Sequence, residues 1–218
     1  MQYILGEWSF MGFDFKVGRG VLIPRDDTEV VVNLCIDFLE NRTDKKTVDL
    51  CSGSGAIAVA LDKISGAKVT AVEIDETAFS YLETNVKENN SSVKPVMADA
   101  LEICDTFADG ELDLIVSNPP YIKSADIETL QKEVQLEPRL ALDGGEDGCD
   151  FYREIVSRWS RKLKKGGALA FELGENQADA VKALMLNKAF RILKFHLTLA
   201  VCRGRLLGLC SDFRNFVR

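Results

Sequence analysis

The sequence predicts a doubly wound α/β domain, a mostly parallel sheet covered by helices on both faces. Three observations carry that prediction. Short apolar runs of strand length alternate with helix-periodic segments through most of the 218 residues, the pattern of successive βαβ units. A glycine turn, CSGSG (Cys51 to Gly55), separates the first such run from the helix behind it, where sheets of this kind form their ligand crevice. Finally, no linker, repeat or low-complexity tract divides the chain, and its length suits one domain.

The elements follow in order. WSFMGFDFKVGRGVLI (Trp8 to Ile23) carries β-prone aromatic and branched residues broken at Gly12 and between Gly18 and Gly20, a hairpin pattern. Residues 1–23 are therefore expected to form a hairpin and linker, with the main domain over 24–218. After Pro24, the polar run Asp26, Asp27 and Thr28 signals a helix start, and Val30, Val31, Leu34, Cys35, Phe38 and Leu39 share one helical face. Thr47 to Cys51 reads as a buried strand, Ala56 to Ile64 as a helix, Lys68 to Ile74 as a second strand and Thr77 to Asn90 as a helix. Val93 to Ala98, Leu112 to Ser117 and Gly167 to Leu173 complete five strands, with helices over 151–164 and 176–188 flanking the last. Phe190 to Phe195 and Leu197 to Leu209 supply two more strands. The one long irregular segment, Tyr121 to Cys149, has the length of a functional loop.

Composition narrows the chemistry. Hydrophobic residues make up 46% of the chain, enough for a substantial core. No apolar run reaches the roughly 18 residues of a membrane span, and the N-terminus lacks a signal-peptide pattern, so a cytoplasmic protein is expected. Six cysteines (Cys35, Cys51, Cys104, Cys149, Cys202 and Cys210) form no C-x-x-C pair and read as reduced thiols. A single histidine, His196, supports neither a histidine-rich metal site nor a Ser-His-Asp triad, and no metal is expected. A formal charge of −7 with a pI near 4.9 argues against a general nucleic-acid-binding surface.

Two motifs carry the site. In DLCSGSGAIA (Asp49 to Ala58), glycines let a ligand approach the backbone, and the helix start behind them offers free N–H groups. Glu73 stands at the end of the second strand, where a carboxylate accepts hydrogen bonds from two ribose hydroxyls, and Asp99 follows the third strand on the adenine side. This arrangement suits NAD as well as S-adenosylmethionine. The second motif, NPPY (Asn118 to Tyr121), follows the apolar strand DLIVS. Its prolines remove two backbone donors and fix two φ angles, giving a rigid corner rich in acceptors. A planar NH2 group has a delocalised lone pair and needs acceptors rather than a strong base. The Asn118 side-chain oxygen and the Pro119 carbonyl suit its two hydrogens, and Tyr121 offers a flat face. Methyl transfer from a sulfonium to that nitrogen neutralises the donor and requires no metal.

These residues resemble the HemK/PrmC family of class I methyltransferases, which modify the glutamine of translation release factors. The resemblance runs through VLIPRDDTE (Val21 to Glu29), DLCSGSGAIA, AVEID (Ala71 to Asp75), DLIVSNPPYI, EPRLALDGGEDG (Glu137 to Gly148) with Tyr152 and Arg153, and KKGGALAFELGENQ (Lys164 to Gln177). It implies a Rossmann-like seven-stranded sheet with an N-terminal β-hairpin. By this resemblance Cys51, Ser52, Gly53, Ser54, Gly55, Glu73, Asp99, Ala100 and Asn118 contact S-adenosylmethionine. Asn118, Pro119, Pro120 and Tyr121 hold the target glutamine, with Asn118, Pro119 and Tyr121 catalytic. The implied product is N5-methylglutamine in a Gly-Gly-Gln loop of a peptide chain release factor.

The chain also departs from the family pattern. A helical domain usually precedes the position where this sequence begins, so a truncated form is expected. Asp26 replaces a usual proline, Cys51 stands where glycine is common, and Ala100 where a larger side chain is frequent. The tail, Phe195 to Arg218, lacks the usual ending, as a local change of reading frame would produce. Two other readings stay open: N6-adenine methylation of DNA or RNA, which NPPY chemistry permits, and a cofactor-binding module without turnover. A nicotinamide dehydrogenase is disfavoured because nothing near NPPY handles a hydride.

Overall fold

The computed structural model describes residues 5–188, 190–197 and 204–210. A two-residue turn joins β1 (Glu7–Phe10) to β2 (Phe13–Lys16), and its residues Met11 and Gly12 both have positive φ (52° and 80°). That is the geometry a tight hairpin requires, and glycine suits it. The hairpin is not left to itself. Phe10 and Phe15 are fully buried in the main core, and the Asn85 side chain bonds both the N–H (2.6 Å) and the carbonyl (3.0 Å) of Lys16.

The first helix, α1 (Thr28–Leu39), starts where its polar run predicts, although no carboxylate caps it. Its first N–H groups instead close a turn on the carbonyls of Arg25 and Asp26, and the Thr28 hydroxyl points elsewhere, as described below. The parallel units are β3 (Lys46–Leu50), α2 (Ala56–Ser65), β4 (Lys68–Glu73), α3 (Glu76–Glu88), β5 (Lys94–Met97) and β6 (Leu112–Ser117). Beyond the long loop come α4 (Asp150–Trp159), β7 (Leu163–Glu172), α5 (Ala178–Asn187), β8 (Phe190–Leu197) and β9 (Gly204–Cys210).

The seven strands lie in the order β5-β4-β3-β6-β7-β9-β8. The five from β5 to β7 are parallel, and β9 runs antiparallel to both β7 and β8. Side chains alternate across the sheet as strand geometry demands. Ala168 and Ala170 of β7 face the core under α1 and α2, whereas Leu169 and Phe171 face Tyr152 and Trp159 of α4.

One expected boundary was wrong. The helix over 151–164 ends at Trp159, a 3-10 turn covers Ser160–Lys162, and β7 begins at Leu163. Gly167 marks the expected strand start, but the strand begins at Leu163 and runs through Gly166 (φ 74°) and Gly167, with a register shift against β6 between Leu112 and Leu114. Of the expected tail elements, β8 covers 190–197, taking in Leu197 where the next strand was expected to begin, and β9 covers 204–210; residues 198–203 and 211–218 of the atypical tail lie outside the described residues.

Candidate active site

The site lies at the carboxyl ends of β3, β4, β5 and β6, across the switch point between β3 and β6. Between β3 and α2, Cys51, Gly53 and Gly55 all take positive φ (59°, 54° and 83°). Left-handed backbone costs a side-chain-bearing residue about 1 kcal/mol or more, a strain that Cys51 carries and that the glycine expected there would avoid. At Gly55 space is also decisive: a Cβ would sit 2.5 Å from Leu82 Cδ1.

Glu73 secures this turn. Its Oε2 accepts from the Gly53 N–H (2.7 Å), and its Oε1 from those of Ile74 (2.8 Å) and Asp75 (2.9 Å). A carboxylate offers about four acceptor positions, so Glu73 has capacity for one ribose hydroxyl rather than the two expected. Burial raises its pKa, and the three backbone donors counter that rise. Asp75 caps α3 through Ala78 N–H (2.9 Å), and Asp99 turns the chain after β5 by accepting from Leu101 N–H (2.7 Å).

Asp49 was not anticipated as a site residue. It is fully buried at the end of β3, and burial lifts its pKa to about 8, with Glu73 pushing the same way. The Ser52 hydroxyl and Ala58 N–H lie close enough to counter part of the rise. Neither carboxylate oxygen completes a hydrogen bond, and Ser52 donates instead to the Asp49 carbonyl at 2.8 Å.

The NPPY corner is attached to the glycine turn by strand pairing. Leu50 is in register with Ser117, whose hydroxyl donates to the Leu50 carbonyl at 2.7 Å. From behind, the corner is braced by Gln177. One amide group donates to the carbonyls of Tyr121 (2.8 Å) and Gly148 (2.9 Å) and accepts from Gly174 N–H (2.9 Å). The GG.DG loop fills the remaining space. A Cβ at Gly148 would lie 2.4 Å from the Tyr121 carbonyl oxygen, and one at Gly144 would lie 2.7 Å from Tyr121 Cα. That motif therefore packs against the corner as a backing layer.

A cavity of about 270 Å³ joins the two motifs. Among the expected residues, Cys51, Ser52, Gly53, Ser54, Glu73, Asp99, Ala100, Asn118 and Pro120 line it. Gly55, Pro119 and Tyr121 are not among its lining residues, and Tyr121 is half-buried beside it. Sequence reasoning missed one side of the pocket, formed by Gly20 to Leu22, Pro24, Arg25, Thr28 and, from the long loop, Pro138, Leu140 and Ala141. The signal was present in IPR..TE and EPRLALDGG, whose spacing alone does not reveal that they meet. They are joined by an ion pair between Arg25 and the buried carboxylate of Glu137.

The ionisable groups on the cavity wall are Glu73, Asp75 and Asp99 against Arg25, with Asp49 beneath the turn. An acidic wall opposes a pyrophosphate and suits a ligand bearing ammonium and sulfonium charges. On charge the wall favours S-adenosylmethionine over NAD. The fold and this site define a methyltransferase domain whose methyl donor is S-adenosylmethionine.

Comparisons agree. Residues 25–146 match the family model described as the methyltransferase small domain. Release factor glutamine methyltransferases from Fusobacterium nucleatum and Clostridium acetobutylicum are 41% and 40% identical, over 88% and 87% of this chain. One from Geobacter sulfurreducens is 43% identical over 87%. The chain belongs to the release factor glutamine methyltransferase family. It spans 55%, 68% and 66% of the length of these three relatives. Among solved structures, a methyltransferase from Pyrococcus furiosus superposes with a TM-score of 0.70 at 21% identity, covering 92% of this chain and 90% of that one. The hMettl16 catalytic domain in complex with a MAT2A 3′UTR hairpin gives 0.74 at 15% identity, covering 93% and 76%. Both likenesses concern the fold.

Proposed function

We propose that this chain, over its catalytic domain 24–218 and led in by the hairpin and linker of 1–23, methylates the side-chain nitrogen of glutamine in the Gly-Gly-Gln loop of a peptide chain release factor. The single observation that carries the reading is the corner itself: Asn118 and Pro120 on the cavity wall, one strand from the glycine turn and locked from behind by Gln177. When bound, S-adenosylmethionine supplies an electrophilic methyl on sulfur. Cys51 to Gly55 would hold it at the glycine turn, Glu73 would accept from a ribose hydroxyl, and Asp99 and Ala100 would lie on the adenine side.

Asn118 and the Pro119 carbonyl would accept the two amide hydrogens and orient the nitrogen for methylation; the amide gains the methyl and gives up one of these hydrogens to water as a proton, while the donor leaves as a neutral thioether. Acceptors aimed at charge developing on that nitrogen stabilise the transition state. Tyr121 packs against the planar group. Nothing in this account needs a metal; among the described residues no cluster of histidine, cysteine and carboxylate side chains is placed to hold one. Among them too, no helix is long and apolar enough to cross a membrane; a place in the cytoplasm and in translation termination follows from the release-factor substrate proposed here. A net charge of −7 opposes direct binding of a nucleic acid backbone.

Transfer of a radiolabelled methyl to an intact release factor, run beside adenine-containing DNA and RNA, tests the proposal. Label in the release factor alone is expected; label in the nucleic acid would move the function to adenine.

A further inference from the structure

One further buried acid near the site has no part in this scheme. Glu172, at the end of β7, is fully buried. One of its carboxylate oxygens accepts the Thr28 hydroxyl at 2.6 Å, and the other accepts the Tyr121 hydroxyl at 3.3 Å. Its backbone carbonyl accepts the hydroxyl of Tyr152 at 2.9 Å, which holds the end of the strand in place. Burying a carboxylate is costly unless donors meet it, and β7 is otherwise apolar at its carboxyl end, with Ala168 to Phe171 and Leu173 buried. A leucine would fill such a place more cheaply. The donors that Glu172 receives come from two motifs far apart in the sequence, IPR..TE and NPPY. Thr28 itself lines the cavity.

We propose that Glu172 is a positioning residue for methyl transfer. Its carboxylate ties the hydroxyls of Thr28 and Tyr121 together and so sets the angle of the Tyr121 ring against which the target NH2 group packs. The inference rests on the role given to NPPY above and names a residue outside it. The ring is then fixed from both ends, by Glu172 at the hydroxyl and by Gln177 at the main-chain carbonyl. At 3.3 Å the tyrosine bond is long for a hydroxyl donor, and bonds of this kind commonly tighten when substrate closes the site. A purely structural acid would support the fold without regard to which substrate is bound. A positioning acid acts through one ring.

Two readouts on the full chain separate these roles. The first is the 13Cζ resonance of Tyr121, assigned by its loss in Tyr121→Phe, which reports on the hydroxyl's acceptor whether or not methyl is transferred. Glu172→Gln, of equal size, is expected to move it. The second is kinetic: in Glu172→Gln, kcat/KM for the release factor should fall about tenfold, the scale of losing charge assistance in a hydrogen bond, while the cofactor Kd from calorimetry stays within about twofold. In a Tyr121→Phe background the same change should cause almost no further loss, because both substitutions break one interaction. An unmoved resonance, or losses that simply multiply, would overturn the proposal. A resonance that moves in a protein whose wild type labels no release factor would support the anchor and reject the substrate assignment instead. Should Glu172→Gln fail to fold, Thr28→Val repeats the test: it removes one of the two hydroxyls on the carboxylate, and a Tyr121 resonance left in place would count against the inference.

Discussion

At the scale of single residues, the decisive groups are the ones whose partners leave chemical capacity in reserve. Asn118 is half-buried on the cavity wall, and its role predicts a clean separation of binding from chemistry. Asn118→Ala should leave the S-adenosylmethionine Kd within about tenfold while lowering single-turnover transfer at least 10²-fold, the scale of one lost transition-state contact. Equal loss of binding and rate would place Asn118 in the cofactor pocket instead. Asp49 predicts a pH dependence. Its pKa is about 8 in the folded chain against an ordinary 3.8, so between those values the folded state keeps a proton that the unfolded state has released. Unfolding free energy therefore falls as pH rises through that window. Asp49→Asn removes the effect: the cofactor-free variant should be more stable than wild type at pH 8.5, by more than about 1 kcal/mol. The advantage should vanish below about pH 4. Urea unfolding at both pH values checks the sign, and a wild type that is the more stable at pH 8.5 would contradict it.

At the scale of elements, the strands and helices of the parallel half were legible because each announces itself locally. Apolar runs of four to six residues gave the strands, and Gly55 and Gly66 bracket α2 in left-handed conformation at both ends. The errors lie where a tertiary partner decides. The Lys162 ammonium is buried, donating to the Phe107 carbonyl at 2.7 Å and pairing with Asp109 at 2.9 Å, and this ends the helical reading of 151–164 early. No periodicity in the sequence reports such a contact. The same holds for the GG.DG segment, which reads as a long loop but serves as packing behind Tyr121. Gln177 makes that packing testable. Gln177→Ala strands two carbonyls and an N–H in a buried place, at a cost of about 3 kcal/mol. Chemical denaturation should register this loss, together with a fall in transfer rate, since the corner loses its brace. A variant of wild-type stability would mean that water or a shifted loop replaces the amide.

At the scale of the whole molecule, one wall of the cavity could be read from the sequence because its parts adjoin: turn, acid and corner each follow a strand of one parallel sheet. The other wall could not, because Thr28, Arg25, Glu137 and Glu172 meet only after the chain has crossed the sheet and returned. The central claim is that this assembly presents one NH2 group of a protein glutamine to a sulfonium methyl. The most direct measurement is tandem mass spectrometry of an intact release factor after incubation with the chain and S-adenosylmethionine, beside a Gly-Gly-Ala variant of the same factor. One methyl group on the side-chain nitrogen of the Gly-Gly-Gln glutamine, and none on the variant, is the predicted result. Methyl on another residue, equal modification of both factors, or none in either while the cofactor binds would contradict it.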